Sequence, residues 1–283
     1  MLITGFDPWK SQLCTCPNKL TFNPYTGCDH RCLYCYASSY IPRFYECRAK
    51  KDLISRLKRE AAKLGGEFIS ISNSSDPYPR LERKEGLMRK CLEIFAKSDC
   101  RIQIVTKSDL VTRDIDILKG IPSMVSVSLT TVNDELSRKL EPYAPLSSKR
   151  IDAIETLVKN DIPTTVRIDP IIPFLNDDVS ELVKLLARQG VLHITSSTYK
   201  VKLANWRRFG KAFPNVSSQL NRLYFDEGEK IGRSYYLPRK VRFDLMKKVK
   251  ELTEGYGMGF GCCREGFNLN SARCDGSWVV TPE

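Results

Sequence analysis

No apolar run in the 283 residues approaches the roughly 18 needed to cross a membrane, so a membrane-spanning protein is not expected. The opening Met1-Leu2-Ile3-Thr4-Gly5-Phe6-Asp7 has neither the charged nor the apolar region of a secretory leader, and a cytoplasmic protein is the expectation. There is no internal repeat, which sets aside the solenoid and propeller architectures, and no low-complexity tract. A phosphate-binding glycine loop is missing, as is any recognised RNA-binding module. Acidic residues are in deficit, with 33 Asp and Glu against 45 Lys and Arg and a net charge of +12. That balance favours an anionic partner, nucleic acid being the commonest, and bears on association rather than on fold. Cysteine is plentiful. Eleven of them in a reducing compartment point to metal or thiol chemistry instead of a disulfide framework.

Three of the cysteines share one short stretch, Asn23-Pro24-Tyr25-Thr26-Gly27-Cys28-Asp29-His30-Arg31-Cys32-Leu33-Tyr34-Cys35-Tyr36-Ala37. Their spacing is C-x3-C-x2-C, with no fourth cysteine at ligand spacing behind them. Three thiolates in one loop can hold three corners of a cubane iron–sulfur cluster, leaving the fourth iron open to another ligand. An open position marks a working metal site, because a structural site closes its shell. The residues alone leave a second reading, a zinc ion on Cys28, His30, Cys32 and Cys35.

The C-x3-C-x2-C spacing with Tyr34 just before the last cysteine resembles the cluster loop of radical S-adenosylmethionine (SAM) enzymes. The run from Asn23 to Ala37 is similar to the branch containing spore photoproduct lyase and its uncharacterised relatives. The resemblance implies a [4Fe–4S] cluster on Cys28, Cys32 and Cys35 whose open iron binds SAM. It implies an electron donor such as a ferredoxin or flavodoxin, and a 5′-deoxyadenosyl radical that takes a hydrogen atom from the substrate.

Along the chain, strands alternate with amphipathic helices. Strands are expected at Leu20–Asn23, Glu67–Ser72, Arg101–Thr106, Met124–Thr130, Pro163–Asp169 and Val191–Thr195. Helices are expected at Ala49–Leu64, Lys84–Lys97, Arg113–Leu118, Ser147–Lys159 and Asp178–Arg188. Gly65-Gly66 reads as a helix C-cap. Such alternation argues for βαβ units and a parallel sheet. The fold class is therefore α/β, and six steps fall short of a full eight-stranded barrel. They agree with the partial (β/α)6 barrel that the resemblance implies. The expected organisation is an irregular N-terminal arm (1–19), a barrel (20–198), and a C-terminal extension (199–283). Residues 200–283 hold 16 Lys and Arg against 9 Asp and Glu, so +7 of the +12 lies there.

In parallel barrels chemistry gathers at the C-terminal ends of strands, where Ser74-Ser75-Asp76-Pro77, Thr106-Lys107-Ser108 and Ser128-Leu129-Thr130 fall. By resemblance, Lys107 pairs with the SAM carboxylate, Ser75 and Ser128 bond its amino-acid or ribose groups, and Tyr34 and Tyr36 shape the pocket. Where spore photoproduct lyase carries a hydrogen-returning thiol, this chain has Asn73, so the same thymine-dimer reversal is not expected. In Arg167-Ile168-Asp169, Arg167 is a candidate SAM contact and Asp169 a candidate for orienting substrate; a pair bracing the barrel mouth is the alternative. Cys14, Cys16, Cys262, Cys263 and Cys274 are expected to meet at a second metal site, an iron–sulfur cluster or zinc, since chain termini often end close together. Cys91, Cys100 and His193 read as core residues. The C-terminal segment interleaves cations with rings (Lys202, Trp206, Arg207, Arg208, Phe209, Phe213, Tyr235, Tyr236), a nucleic-acid pattern. The leading function is hydrogen abstraction from DNA or RNA, for repair or modification. The alternatives are the same chemistry on a peptide or small metabolite, and a zinc-stabilised nucleic-acid-binding protein without catalysis.

Overall fold

Ile-Ser-Ile, Ile-Gln-Ile, Val-Ser-Val and Val-Arg-Ile recur in the strand segments, and this period of two determines which face each strand buries. In the computed structural model, which describes residues 1–6, 12–72 and 74–281, eight strands form one sheet. They are β1 (Thr4–Gly5), β2 (Leu20–Phe22), β3 (Gly65–Ile71), β4 (Asp99–Thr106), β5 (Ser123–Ser128), β6 (Thr164–Ile171), β7 (His193–Thr198) and β8 (Gly259–Cys262), side by side in that order. β2 to β8 run parallel, while β1 pairs antiparallel with β2. The two edge strands, β1 and β8, do not pair with each other. The sheet is a barrel left open along one side.

Ile69, Ile71, Ile102, Ile104, Val125, Val127, Val166 and Ile168 are buried in one cluster. They pack with apolar stripes from α1 (Leu53–Ala61), α2 (Leu87–Phe95), α4 (Ser147–Lys159) and α5 (Ser180–Arg188), which contribute Leu57, Leu92, Leu157 and Leu186. Each such side chain contributes about 1.5–3 kcal/mol, so the layer between sheet and helices holds the fold. The intervening Ser70, Gln103, Ser126 and Arg167 are left for the concave face. That face is polar, as a site for a charged ligand requires.

Three expectations change. The arm is not wholly irregular: the Leu2 and Ile3 amides donate to the Glu60 carboxylate of α1 at 2.7 and 2.9 Å, which aligns β1 on the edge of β2. Gly65-Gly66 is not a helix cap. α1 ends at Ala61 and is capped by Ala62, whereas Gly66, at φ 89°, sits in a bulge that opens β3 against β4. The C-terminal segment is not a stacking surface throughout. Phe209 and Phe213 of α6 (Leu203–Ala212) and its flank, with Tyr224 of α7 (Pro214–Phe225), are buried in a second core with Tyr199 and Leu237. Trp206 packs into it against Phe225 and Tyr224, ring centroids 5.3 and 5.7 Å apart. The rings turn inward because each covers apolar area that the barrel's outer layer does not reach.

From α8 (Arg239–Gly255) the chain enters β8, the strand beside β7, and the tail then folds back into the concavity. Gln103 Nε2 donates to the Asp275 carbonyl (2.8 Å) and Thr195 Oγ1 to the Cys274 carbonyl (3.0 Å). Gly261 leaves room for this: a Cβ there would stand 2.1 Å from the Cys274 carbonyl oxygen.

Candidate active site

The long loop between β2 and α1 carries Cys28, Cys32 and Cys35. A two-residue ladder, Tyr25–Thr26 with Arg48–Ala49, closes its base. Gly27 stands at φ 81°, and a Cβ there would lie 2.4 Å from the Phe44 carbonyl oxygen. Only glycine lets the returning segment press against Cys28, whose amide donates to Phe44 at 2.7 Å. Arg208 of α6 braces the loop from outside, its Nη2 donating to the Cys35 carbonyl (3.1 Å) and to Ser38 Oγ (2.8 Å). That is a positioning role, not the phosphate contact expected of it. Burial raises all three thiols: Cys28 well above its ordinary value, Cys32 up to about 12, and Cys35 upward. Lys107 counters this at Cys32 and Cys35, with Arg150 helping at Cys32 and Arg208 at Cys35.

Asp76 collects the strand ends beneath the loop. It accepts from Thr106 Oγ1 (2.7 Å) and the Lys107 amide (2.7 Å), and its carboxylate lies 3.6 Å from His30 Nδ1. Burial keeps His30 below its ordinary pKa despite Asp76. Ser75 and Ser128 are both buried. The Ser75 carbonyl accepts from Ser72 Oγ, and the Ser128 carbonyl accepts from Arg150 Nη1 at 3.1 Å.

Beside the loop, Glu141 follows α3 (Asp134–Leu140) and is buried. Arg150 Nη2 of α4 stands 2.5 Å from its Oε2, Lys107 Nζ stands 3.9 Å from Oε1, and the Tyr34 hydroxyl donates to Oε1. Lys107 also lies 5.6 Å from the centre of the Tyr34 ring. Burial alone raises the Glu141 carboxyl, but Arg150 and Lys107 outweigh it and hold it below the glutamate value of 4.5.

Across the concavity, Arg167 Nη2 donates to Asp169 Oδ2 at 2.9 Å, and Ser197 Oγ donates to Oδ1 at 2.6 Å. Cys263 stands in the field of the Arg167 guanidinium. Lys200 Nζ donates to Glu265 Oε1 (3.0 Å) and to the Cys263 carbonyl (3.4 Å). Burial opposes ionisation of Asp169, yet Arg167 and Lys200 pull its carboxyl below the ordinary range. Tyr36, more than a third exposed, faces the same group, with Arg264, Cys35, Asp169 and Cys263 in its field.

A cysteine loop at the head of β2, with a lysine, buried serines and an Arg–Asp pair on the strand ends, is thus gathered at one end of an open parallel barrel. Residues 22–186 match the profile of the radical SAM superfamily. The chain belongs to the radical SAM superfamily. It is 38% identical over 168 residues to an uncharacterised protein of Methanocaldococcus jannaschii, covering 56% of this chain and 62% of that relative's length. A radical SAM Nα-GlyT isomerase of Pseudomonas phage M6 is 25% identical, over 86% of this chain and 53% of its own. Among solved structures, spore photoproduct lyase complexed with dinucleoside spore photoproduct superposes with a TM-score of 0.62 at 17% identity, covering 82% of this chain and 71% of the lyase. A lyase double mutant with bound SAM and dinucleoside gives 0.65 at 17%, covering 89% and 76%. These likenesses show the fold.

Membership implies a [4Fe–4S] cluster and SAM, and the enzyme's cysteine loop fits the cluster by its chemistry. Its three soft donors, Cys32 buried and Cys28 and Cys35 half-buried, share one loop, and Lys107, Arg150 and Arg208 stand in the field of Cys32 or Cys35 as cations that favour an anionic centre. Each thiol must give up its proton on ligation. As placed, no three His, Cys, Asp or Glu side chains among the described residues group tightly enough to hold a single metal ion; His30 turns to Asp76 instead of joining the cysteines.

The five terminal cysteines divide. Cys262 points into the apolar layer, and Cys263 stands at the mouth by Arg167. Cys16 Sγ and Cys274 Sγ are 3.3 Å apart, and Cys14 hydrogen-bonds Cys16. The Cys14 contact lowers the Cys16 thiol, but Cys274 and burial push it up to about 12. Cys91 and Cys100 are core residues, as expected. His193 is buried, accepts from Trp278 Nε1 at 3.3 Å and is pushed down to about 4 by burial. Asn73 lies outside the described residues. Sequence reasoning missed Glu141, Arg150 and Glu265, and read Lys200 only as one of the cations of the C-terminal nucleic-acid pattern, since nothing local distinguishes a buried ion pair from a surface one. It also missed Cys263 as a mouth residue.

Proposed function

We propose that this radical SAM enzyme abstracts a hydrogen atom from a nucleic acid delivered to the barrel mouth, with Cys28, Cys32 and Cys35 holding the cluster. Lys107, Ser75, Ser128 and Arg167 bind SAM, and Tyr34 shapes its pocket. Tyr36 and Asp169 meet the substrate. When bound, the reduced cluster supplies the electron that cleaves SAM, replenished by a ferredoxin- or flavodoxin-type donor. Lys107 neutralises the SAM carboxylate, and the Arg167–Asp169 pair, fixed by Ser197, leaves one face of the mouth rigid and charged.

The observation that carries the substrate class is a group of cations at the mouth. Lys202 has Arg233 and Arg264 in its field; burial first, then these two like charges, lower its pKa. Its ammonium lies 5.5 Å from the Tyr40 ring centre, and Tyr40 and Tyr36 face each other at 6.2 Å. Arg233 rides the turn of the hairpin Glu229–Ile231 and Ser234–Tyr236, which a bridge from Val201 to Tyr235 ties to the barrel. Converging cations beside partly exposed rings suit phosphates and an unstacked base. The structural neighbours solved with a dinucleoside support the same reading.

The test is binding of fluorescent single-stranded DNA and RNA across a salt series. Affinity should fall steeply with salt, and Lys202→Ala with Arg233→Ala should shallow the log–log slope by roughly one to two. SAM cleavage without substrate should persist in that variant. No binding at low salt overturns the nucleic-acid reading and favours a peptide or metabolite.

A further inference from the structure

The sequence keeps Cys16 and Cys274 apart by 258 positions, and the fold brings their sulfurs to 3.3 Å. Their surroundings are built from both ends of the chain. Lys19, three residues beyond Cys16, pairs with Asp275, next to Cys274, and both of these side chains are almost fully buried. Cys274 and Asp275 are the residues whose carbonyls Thr195 and Gln103 hold inside the barrel. Gly276 packs against His193 and Thr165 on the same concave face, where a Cβ would stand 2.9 Å from the imidazole. Arm and tail therefore meet across the open side of the barrel, through an ion pair, the thiol pair and a hydrogen bond from Asn270 Nδ2 to Thr15 Oγ1 at 3.2 Å.

The Cys16 thiol of this pair is reachable, whereas Cys274 is buried behind it. Cys14 and Cys16 are half-buried and line an open cavity of about 650 Å³ with Lys19, Glu67, Arg101 and Arg273. The cavity admits a small thiol reagent. The thiols are not arranged to hold a single metal ion, and two sulfurs at 3.3 Å are far closer than cysteines on separate irons of a cubane. A single S–S bond needs only a modest closure, since disulfide sulfurs stand about 2.0 Å apart.

We propose that Cys16 and Cys274 form a reversible dithiol–disulfide site that staples the arm to the barrel-filling tail. A small disulfide such as oxidised glutathione supplies the oxidising equivalents. Cys16 gives up its proton as its sulfur attacks one sulfur of that disulfide, and the departing sulfur takes up a proton, giving a mixed disulfide and one released thiol. Cys274 then attacks Cys16 Sγ, forming the Cys16–Cys274 bond and releasing the second thiol. Two protein thiols are oxidised and one small disulfide becomes two thiols, so atoms and electrons balance. Reduction runs the same steps backward.

The test uses full-length, cluster-loaded protein kept anaerobic and treated with oxidised glutathione. Non-reducing peptide mapping by mass spectrometry should recover a Cys16–Cys274 linked peptide, with two thiols lost per chain. Closing so long a loop should raise Tm by several degrees, reversed by dithiothreitol. Cys16→Ser and Cys274→Ser should each abolish the linked peptide and the shift, while Cys100→Ser keeps both. Should Cys274→Ser fail to fold, the half-buried Cys16→Ser and the wild-type map still decide. Absence of the linked peptide in wild-type protein overturns the proposal. So does iron or zinc beyond the cluster-loop complement that is lost in Cys16→Ser.

Discussion

Two buried glutamates, one on each side of the barrel mouth, are held in nearly the same way. Glu141 lies between Arg150 and Lys107, and Glu265 between Arg242 and Lys200, at 3.1 and 3.0 Å. Both arginines are fully buried, and each also donates to backbone carbonyls, Arg150 to Ser128 and Pro145 and Arg242 to Leu237 and Glu265. The difference lies in what else each carboxylate holds. Glu141 takes the Tyr34 hydroxyl and so reaches the cysteine loop. Glu265 takes the Thr198 amide and hydroxyl at the end of β7 and so pins the tail segment that carries Cys263. On the function proposed above, one arrangement of charges would support the cofactor side of the site and the other the substrate side. Such groups are kept although a buried ion pair is weak in net stability, because removing one partner leaves the other uncompensated.

The comparison can be broken most severely on the cofactor side. Cys28→Ala with Cys32→Ala and Cys35→Ala should abolish 5′-deoxyadenosine production by anaerobically reconstituted, dithionite-reduced protein. Urea unfolding should show the Glu265 side still cooperative. Full SAM cleavage in this variant would remove the loop from the chemistry altogether.

Next come the arginines. Arg150→Ala and Arg242→Ala should each cost about 3–5 kcal/mol in urea unfolding, by stranding a buried carboxylate. The two should differ in function. Arg150→Ala should also lower iron retention and SAM cleavage, because Glu141 then loses its hold on Tyr34. Arg242→Ala should leave cleavage per iron unchanged. Equal effects on cleavage would erase the proposed division of labour.

The lysines give a smaller contrast. Lys107→Ala should raise the SAM concentration for half-maximal cleavage roughly tenfold, the equivalent of about 1.4 kcal/mol. Lys200→Ala should leave that concentration unchanged and affect only coupling to substrate.

The smallest effect is on pH dependence. Because the folded Glu141 carboxyl sits below its unfolded value of 4.5, its stabilisation is fully present above about pH 4.5 and is lost as pH falls through the folded pKa. Acid titration of stability should therefore be shallower in Glu141→Gln over that limb. An unchanged limb would mean that Glu141 does not titrate with unfolding.

The sequence by itself determined the period-two strands, the amphipathic helices that cover them and the three-cysteine loop, because each depends on spacing within a few residues. The six strands expected from alternation are β2 to β7, and Ser147–Lys159 is a helix over the expected span. Alternation also marked the polar concave face, since Ser70, Gln103 and Ser126 interrupt runs of Ile and Val. Tertiary structure alone decided the rest. Whether Trp206 and Phe209 stack on a base or fill a core depends on what packs over them, and α7 does. Whether Arg208 meets phosphate or the Cys35 carbonyl depends on where α6 lies. The five terminal cysteines have no local period to separate them; Cys262 and Cys263, adjacent in sequence, go to the core and the mouth because alternate positions along a strand face opposite sides. The buried pairs of Glu141 and Glu265, and the meeting of Cys16 with Cys274, are contacts between distant segments, and no residue pattern encodes them short of the fold.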